Sequence, residues 1–178
     1  MIIVTVLGLK KSGKTTSCEA LIRQFKLRGL KVGAVKSMHH ARMTIDTEGK
    51  DTWRHRQAGA DFVVSLSKGE MGYIEAASGR TTLNDAKRHF PPDTDVLVCE
   101  GVEGLGSEAY SVVALKSVDM LAETLKIRGL GGGKNILALT GIFSNDAKAN
   151  PNYPVFNCTV KKEAKALADL IIKNGGRR

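Results

Sequence analysis

The apolar run Ile2 to Leu7 feeds directly into Gly8-Leu9-Lys10-Lys11-Ser12-Gly13-Lys14-Thr15, and a helical stretch, Thr16 to Leu27, follows without a break. The octet has the pattern G-x-x-x-x-G-K-[ST]. Its setting, a buried strand before and a helix after, constrains the fold more than any other feature of the chain. Glycines at Gly8 and Gly13 let the backbone curl with its N–H groups pointing inward. The helix N-terminus adds unpaired donors and the positive end of its dipole. Such a loop closes around phosphate. Lys14 is placed to reach the outer phosphates and the Thr15 hydroxyl to ligate Mg²⁺. A chance glycine-rich turn would not carry both flanking elements, so the reading is a nucleoside triphosphate site.

A chain of 178 residues is long enough to bury a real core. The expected organisation is one phosphate-loop nucleotide-binding domain over residues 1–174, with a flexible tail at 175–178. The net charge of +9 fits an anionic partner, a nucleotide, a nucleic acid or an acidic protein face, and equally fits simple solubility. Aromatic residues are only 5% of the chain, which argues against a base-stacking nucleic-acid binder. Cys18, Cys99 and Cys158 lie far apart with no C-x-x-C pair. They read as buried thiols in a reducing compartment, with no disulfide framework. The short apolar start lacks a basic leader, and nothing approaches the roughly 20 apolar residues of a membrane span. The expected location is the cytoplasm, away from membranes.

Strand and helix signals alternate along the chain, which predicts an α/β fold. Strands are expected at Ile2–Leu7, Val32–Ser37, Asp95–Cys99, Ser111–Leu115, Asn135–Thr140 and, briefly, Val155–Asn157. Helices are expected at Thr15–Arg28, Thr52–Ala58, Leu83–His89, Val118–Ile127 and Val160–Lys173. Phe62–Leu66 and Gly72–Ala77 read as a β-pair with Lys68-Gly69 in the turn. The architecture implied is doubly wound: a mainly parallel sheet with helices on both faces, of the phosphate-loop NTPase type, carrying a small β-pair insertion.

A phosphate loop needs a carboxylate across the metal, at the end of a neighbouring parallel strand. Asp95 opens its strand and so lies at the wrong edge. Glu100 closes the same strand, at the carboxyl edge where ligands bind in open α/β sheets. Gly101 beside it lets the backbone approach the phosphates. After the second strand comes a charged segment with His39-His40, Asp46, Asp51, Arg54, His55 and Arg56. Segments so placed respond to a γ-phosphate. Asp46 or Asp51 is a candidate to orient water or metal, and Arg54 or Arg56 to neutralise transition-state charge. His39-His40 with His55 lack metal-ligand spacing.

Taken in order, these residues resemble the molybdopterin-guanine dinucleotide biosynthesis protein B family. The resemblance rests on Gly8–Thr16, then Val32-Gly33-Ala34-Val35-Lys36 with His39-His40, then Asp46 and Gly49-Lys50-Asp51-Thr52. It continues through Arg54-His55, Ala58-Gly59-Ala60 and Val98-Cys99-Glu100-Gly101, and so covers about the first 100 residues. It implies GTP bound with Mg²⁺ and hydrolysed weakly. It implies an accessory partner of the guanylyltransferase that joins GMP to molybdopterin, with molybdopterin itself a further candidate contact and a homodimer as the working form. Lys14, Asp46, Asp51 and Glu100 would then carry the chemistry, and Thr15, Glu100 and Asp46 the metal. Nucleotide contacts would fall to Gly8, Lys10, Lys11, Ser12, Gly13, Lys14, Thr15, Thr16 and Gly101. Asp146, shortly after the Asn135–Thr140 strand, is the positional candidate for the guanine donors, in a chain with no Asn-Lys-x-Asp tetrad.

Two departures stand out. Lys10-Lys11 occupy positions where small residues are common, and either add charge near the phosphates or point to solvent. Val102-Glu103 stand where an aromatic residue and a lysine are typical. Two other functions fit the same loop. One is an ATP-dependent small-molecule kinase, with Arg80, Arg88 or Arg128 in a lid. The other is a nucleotide-dependent adaptor with negligible turnover.

Overall fold

A computed structural model of the chain describes residues 1–38, 44–77, 79, 81–131, 133, 135–145 and 152–176. In chain order the elements are β1 (Ile2–Gly8), α1 (Lys14–Lys26), β2 (Val32–Lys36), α2 (Asp51–Gln57), β3 (Phe62–Leu66), β4 (Met71–Glu75) and α3 (Leu83–Lys87). There follow β5 (Val96–Glu100), β6 (Tyr110–Leu115), α4 (Leu121–Ile127), β7 (Ile136–Gly141) and α5 (Lys161–Gly175). The chain divides into two compact units, Met1–Ser37 with Ala86–Arg178, and Met38–Asp85.

The larger unit holds a five-stranded parallel sheet in the order β2-β5-β1-β6-β7. Parallel strands need crossovers, and the crossovers cover both faces. Alternate residues Val4, Val6, Val96, Val98, Val112 and Ala114 pack under α1 and α5, against Leu21, Phe25, Leu167 and Ile171. On the opposite face Val113, Leu115, Leu139 and Phe143 form a second cluster with Leu121 and Leu125 of α4. Each fully buried Leu, Ile or Phe contributes about 1.5–3 kcal/mol, and most of that burial follows directly from the apolar strands. The helices lie on both faces, as the alternating sequence predicts.

The strand order reverses at β1. The chain leaves β1 through α1 toward β2 on one side, while β6 lies on the other. The carboxyl end of β1 is therefore the switch point where α/β sheets bind ligands, and the Gly8–Thr15 loop sits there.

Three expectations change in detail. Val155–Asn157 forms a single bridge, Val155 to Leu139, and not a strand. Pro154 has no N–H to extend a ladder, and the Asn157 N–H turns away to donate to the Glu163 carboxylate at 2.7 Å. The segment before α4 opens as a 3₁₀ turn, Val118–Met120. The second strand of the β-pair is Met71–Glu75, one residue early at its start and two at its end.

In the smaller unit β3 and β4 form an antiparallel hairpin. Ser67 closes its turn, its hydroxyl accepting from the Glu70 N–H at 3.0 Å. One hairpin face is apolar and open: Phe62, Val64, Leu66, Met71 and Tyr73 are all exposed, and the Phe62 and Tyr73 rings stack at 6.0 Å. Val63, on the other face, is buried. The short α2 carries Asp51 in its first turn and Arg54, His55 and Arg56 in its last, charges that complement the helix dipole. No described helix is long and apolar enough to cross a membrane.

Candidate functional site

The loop between β1 and α1 is walled by neighbouring strands. A Cβ on Gly8 would lie 2.2 Å from the Ala114 carbonyl oxygen of β6. Gly13 holds the left-handed conformation, φ 91°, at the start of α1, a conformation that only glycine adopts freely. Behind it, a Cβ on Gly141 would lie 2.3 Å from the Leu115 oxygen and 2.6 Å from the Ser12 oxygen. The first bond of the helical ladder is Ser17 N–H to Gly13 O at 3.0 Å. The N–H groups of Lys14, Thr15 and Thr16 thus precede the ladder. The Ser12 hydroxyl, within the loop, is buried without a hydrogen-bond partner among the described residues. A loop of this kind fits an anion.

The Lys14 ammonium donates to the Leu9 carbonyl at 2.7 Å. Burial holds its pKa below the ordinary lysine value, with repulsion from Arg128 and Lys36 adding to that and Glu100 opposing it. Arg128 itself donates to Glu103 at 2.6 Å. The Thr15 hydroxyl donates to Glu100 Oε1 at 2.9 Å. The Lys36 ammonium reaches the same oxygen at 3.4 Å. Glu100 is largely buried, its side chain 14% exposed. The strand end and the loop hydroxyl picked out in the sequence are therefore brought together. Two oxygen ligands of this type suit a hard cation such as Mg²⁺. Gly101 follows, its N–H donating to the Val6 carbonyl of β1 at 3.0 Å.

Lys10 and Lys11, within the loop, and Thr16, directly after it, are exposed, with Lys11 at φ 61°. Asp46 and Asp51 belong to the smaller unit. Asp46 Oδ1 accepts from the Thr52 hydroxyl at 2.7 Å and the Thr47 N–H at 2.9 Å, which fixes the approach to α2. Its Oδ2 is shielded from solvent and has no partner among the described residues. Asp51 is exposed and 3.9 Å from Arg54 on its own helix. Arg56 has a buried, unpartnered Nε. Asp146, His39, His40 and Arg80 lie outside the described residues.

Sequence reasoning passed over two residues of the site. Lys36 ends β2 beside Glu100 in register, and the strand-end argument that selected Glu100 applies equally to it. Gly141 ends β7, and no local signal links it to a loop 128 positions earlier in the chain.

Residues 3–124 match a family model described as molybdopterin guanine dinucleotide synthesis protein B, MobB. The chain belongs to that family. Among MobB relatives, the molybdopterin-guanine dinucleotide biosynthesis adapter protein of Haemophilus influenzae is 32% identical over 97 residues, 54% of each chain. The match thus spans about half the length of that relative. The probable adapter protein of Bacillus subtilis is 30% identical over 129 residues, 67% of this chain and 73% of its own. The crystal structure of Bacillus subtilis MobB superposes with a TM-score of 0.73 at 24% identity, covering 96% of this chain and 98% of that one. A MobB protein homolog from Bacillus stearothermophilus gives 0.67 at 22% identity over the whole of both chains. These likenesses carry the MobB fold, a parallel phosphate-loop sheet with a small β-pair.

Proposed function

We propose that this MobB-family chain is a GTP-binding accessory protein in molybdopterin guanine dinucleotide biosynthesis, with slow GTPase activity. The observation that carries the reading is the 2.9 Å bond from Thr15 to Glu100, which joins the loop hydroxyl to a strand-end acid 85 positions away. The loop N–H groups and Lys14 would cradle the phosphates, Lys14 exchanging the Leu9 carbonyl for a phosphate oxygen. Thr15 and Glu100 would hold Mg²⁺, which supplies charge neutralisation on the phosphate oxygens. Neither Lys14 nor Thr15 is a base that could activate water, and Glu100 is engaged with both Thr15 and Lys36. That arrangement supports the reading of slow turnover.

The adapter names carried by its relatives support a partner role, with the guanylyltransferase that joins GMP to molybdopterin as the client and molybdopterin as a candidate shared ligand. The open apolar face of β3–β4 supports a homodimer, since exposed apolar patches mark association surfaces. A reducing cytoplasm suits three unpaired cysteines. Guanine choice would rest on Asp146.

Titration calorimetry with GTP, and separately ATP, in Mg²⁺ tests the reading. Tight GTP binding, weak ATP binding and loss of both in Lys14→Ala are expected. A preference for ATP would replace this reading with a kinase, and tight GTP binding by Lys14→Ala would remove the loop from the site.

A further inference from the structure

We propose that Lys36 reads the terminal phosphate: its ammonium rests on Glu100 in the nucleotide-free chain and changes partner to the γ-phosphate when GTP is bound. The inference rests on the GTP reading above and concerns a residue that reading does not use.

Three observations carry it. First, β2 and β5 pair in register with Lys36 opposite Glu100. Both side chains leave the face of the sheet that packs on α1, since Val32, Val96 and Val98 share that face. Lys36 is therefore directed to the side where α1 begins. Second, Glu100 Oε1 is shared: it accepts from Thr15 at 2.9 Å and faces Lys36 at 3.4 Å. A hard cation held by Thr15 and Glu100 would compete with the Lys36 ammonium for the charge of that one carboxylate. Third, the Lys36 side chain is 62% exposed while Glu100 is 14% exposed. The carboxylate is fixed and the lysine, a compact charge on a flexible four-carbon stem, is free to swing. A cation released at this point finds its nearest new anion at the outer end of a triphosphate whose inner phosphates sit in the loop. GDP offers no such group.

Calorimetric titration of wild type, Lys36→Met and Lys36→Arg with GTP and with GDP, each in Mg²⁺, tests this. Wild type is expected to bind GTP more tightly than GDP. Lys36→Met is expected to lose about ten-fold or more of that preference, the scale of one hydrogen bond to a charged group, with GDP affinity held within about two-fold. Lys36→Arg should keep most of the preference. An unchanged GTP-to-GDP ratio in Lys36→Met overturns the inference and leaves the GTP reading standing. Equal losses for both nucleotides also overturn it, since Lys36 would then only position Glu100. Failure of wild type to bind either nucleotide removes both proposals. Lys36 is exposed, so a matching thermal unfolding midpoint is expected to show that Lys36→Met folds.

Discussion

Burial pushes the thiols of Cys18 and Cys99 up to about 12 and raises that of Cys158 as well. The thiolate is the reactive form, so all three should resist a maleimide at pH 8 in the folded protein and react once denaturant is added. Mass spectrometry counts the adducts, and rapid native labelling of Cys99 would contradict its place in the sheet. At this scale the sequence was informative where chemistry and position coincide. Lys14, Thr15 and Glu100 were legible because a motif and a strand end each name one residue. Lys36, which closes β2 as Glu100 closes β5, was passed over because its partner is chosen by strand register across a long crossover. Asp46 and Asp51 were legible as acids near a phosphate loop in sequence, yet each also has a local task at the start of α2. A charge written in sequence does not say which of two tasks it serves.

Elements were legible from apolar and β-branched runs whether or not the fold buries them: β3, exposed at four of its five positions, lies at Phe62–Leu66 as the sequence puts it. The nearly all-apolar β5 is buried from Val96 to Cys99 and was found almost to the residue. The bridge at Val155 was over-read, because β-branched and aromatic residues flank a proline that stops the ladder. The order of the strands was not legible at all: nothing in β2 states that β5 lies between it and β1. One contact fixes that neighbourhood. A Cβ on Gly33 of β2 would lie 2.5 Å from Leu97 Cδ2 and 2.6 Å from the Phe90 ring. Gly33→Ala is therefore expected to overpack the sheet by about 1–3 kcal/mol. The unfolding midpoint should fall by several degrees at about 2–4 °C per kcal/mol. An unchanged midpoint in differential scanning calorimetry would mean that Phe90 moves aside freely.

Across the molecule, the first and last long helices share a core and are tied at its edge by one arginine. Arg28, just past α1, donates to the Gln24 and Lys165 carbonyls and to the Asp169 carboxylate of α5. Arg28→Ala is expected to cost about 1–2 kcal/mol, as for two or three ordinary hydrogen bonds. That cost should depend on pH. The bonds from Arg28 and then Lys165 hold the Asp169 carboxyl below its usual range. A carboxylate whose folded pKa is depressed stabilises the fold above its unfolded pKa, about 4, and loses that contribution as pH falls through the folded value. The gap in unfolding midpoint between wild type and Arg28→Ala should be full at pH 7 and narrow below about pH 4; a gap independent of pH would leave Asp169 out of the account. Such a tie between helices 141 residues apart is invisible in sequence, where Arg28 is one cation among 27. The wedge at Gly141 has a consequence of a different sort. A side chain begun at Gly141 would meet the Leu115 oxygen at 2.3 Å and the Ser12 oxygen at 2.6 Å, so the loop approaches the end of β7 this closely only because that strand ends in glycine. On the proposed function, the room left for a phosphate would then depend on a residue contributed by another strand, far from the motif that names the loop.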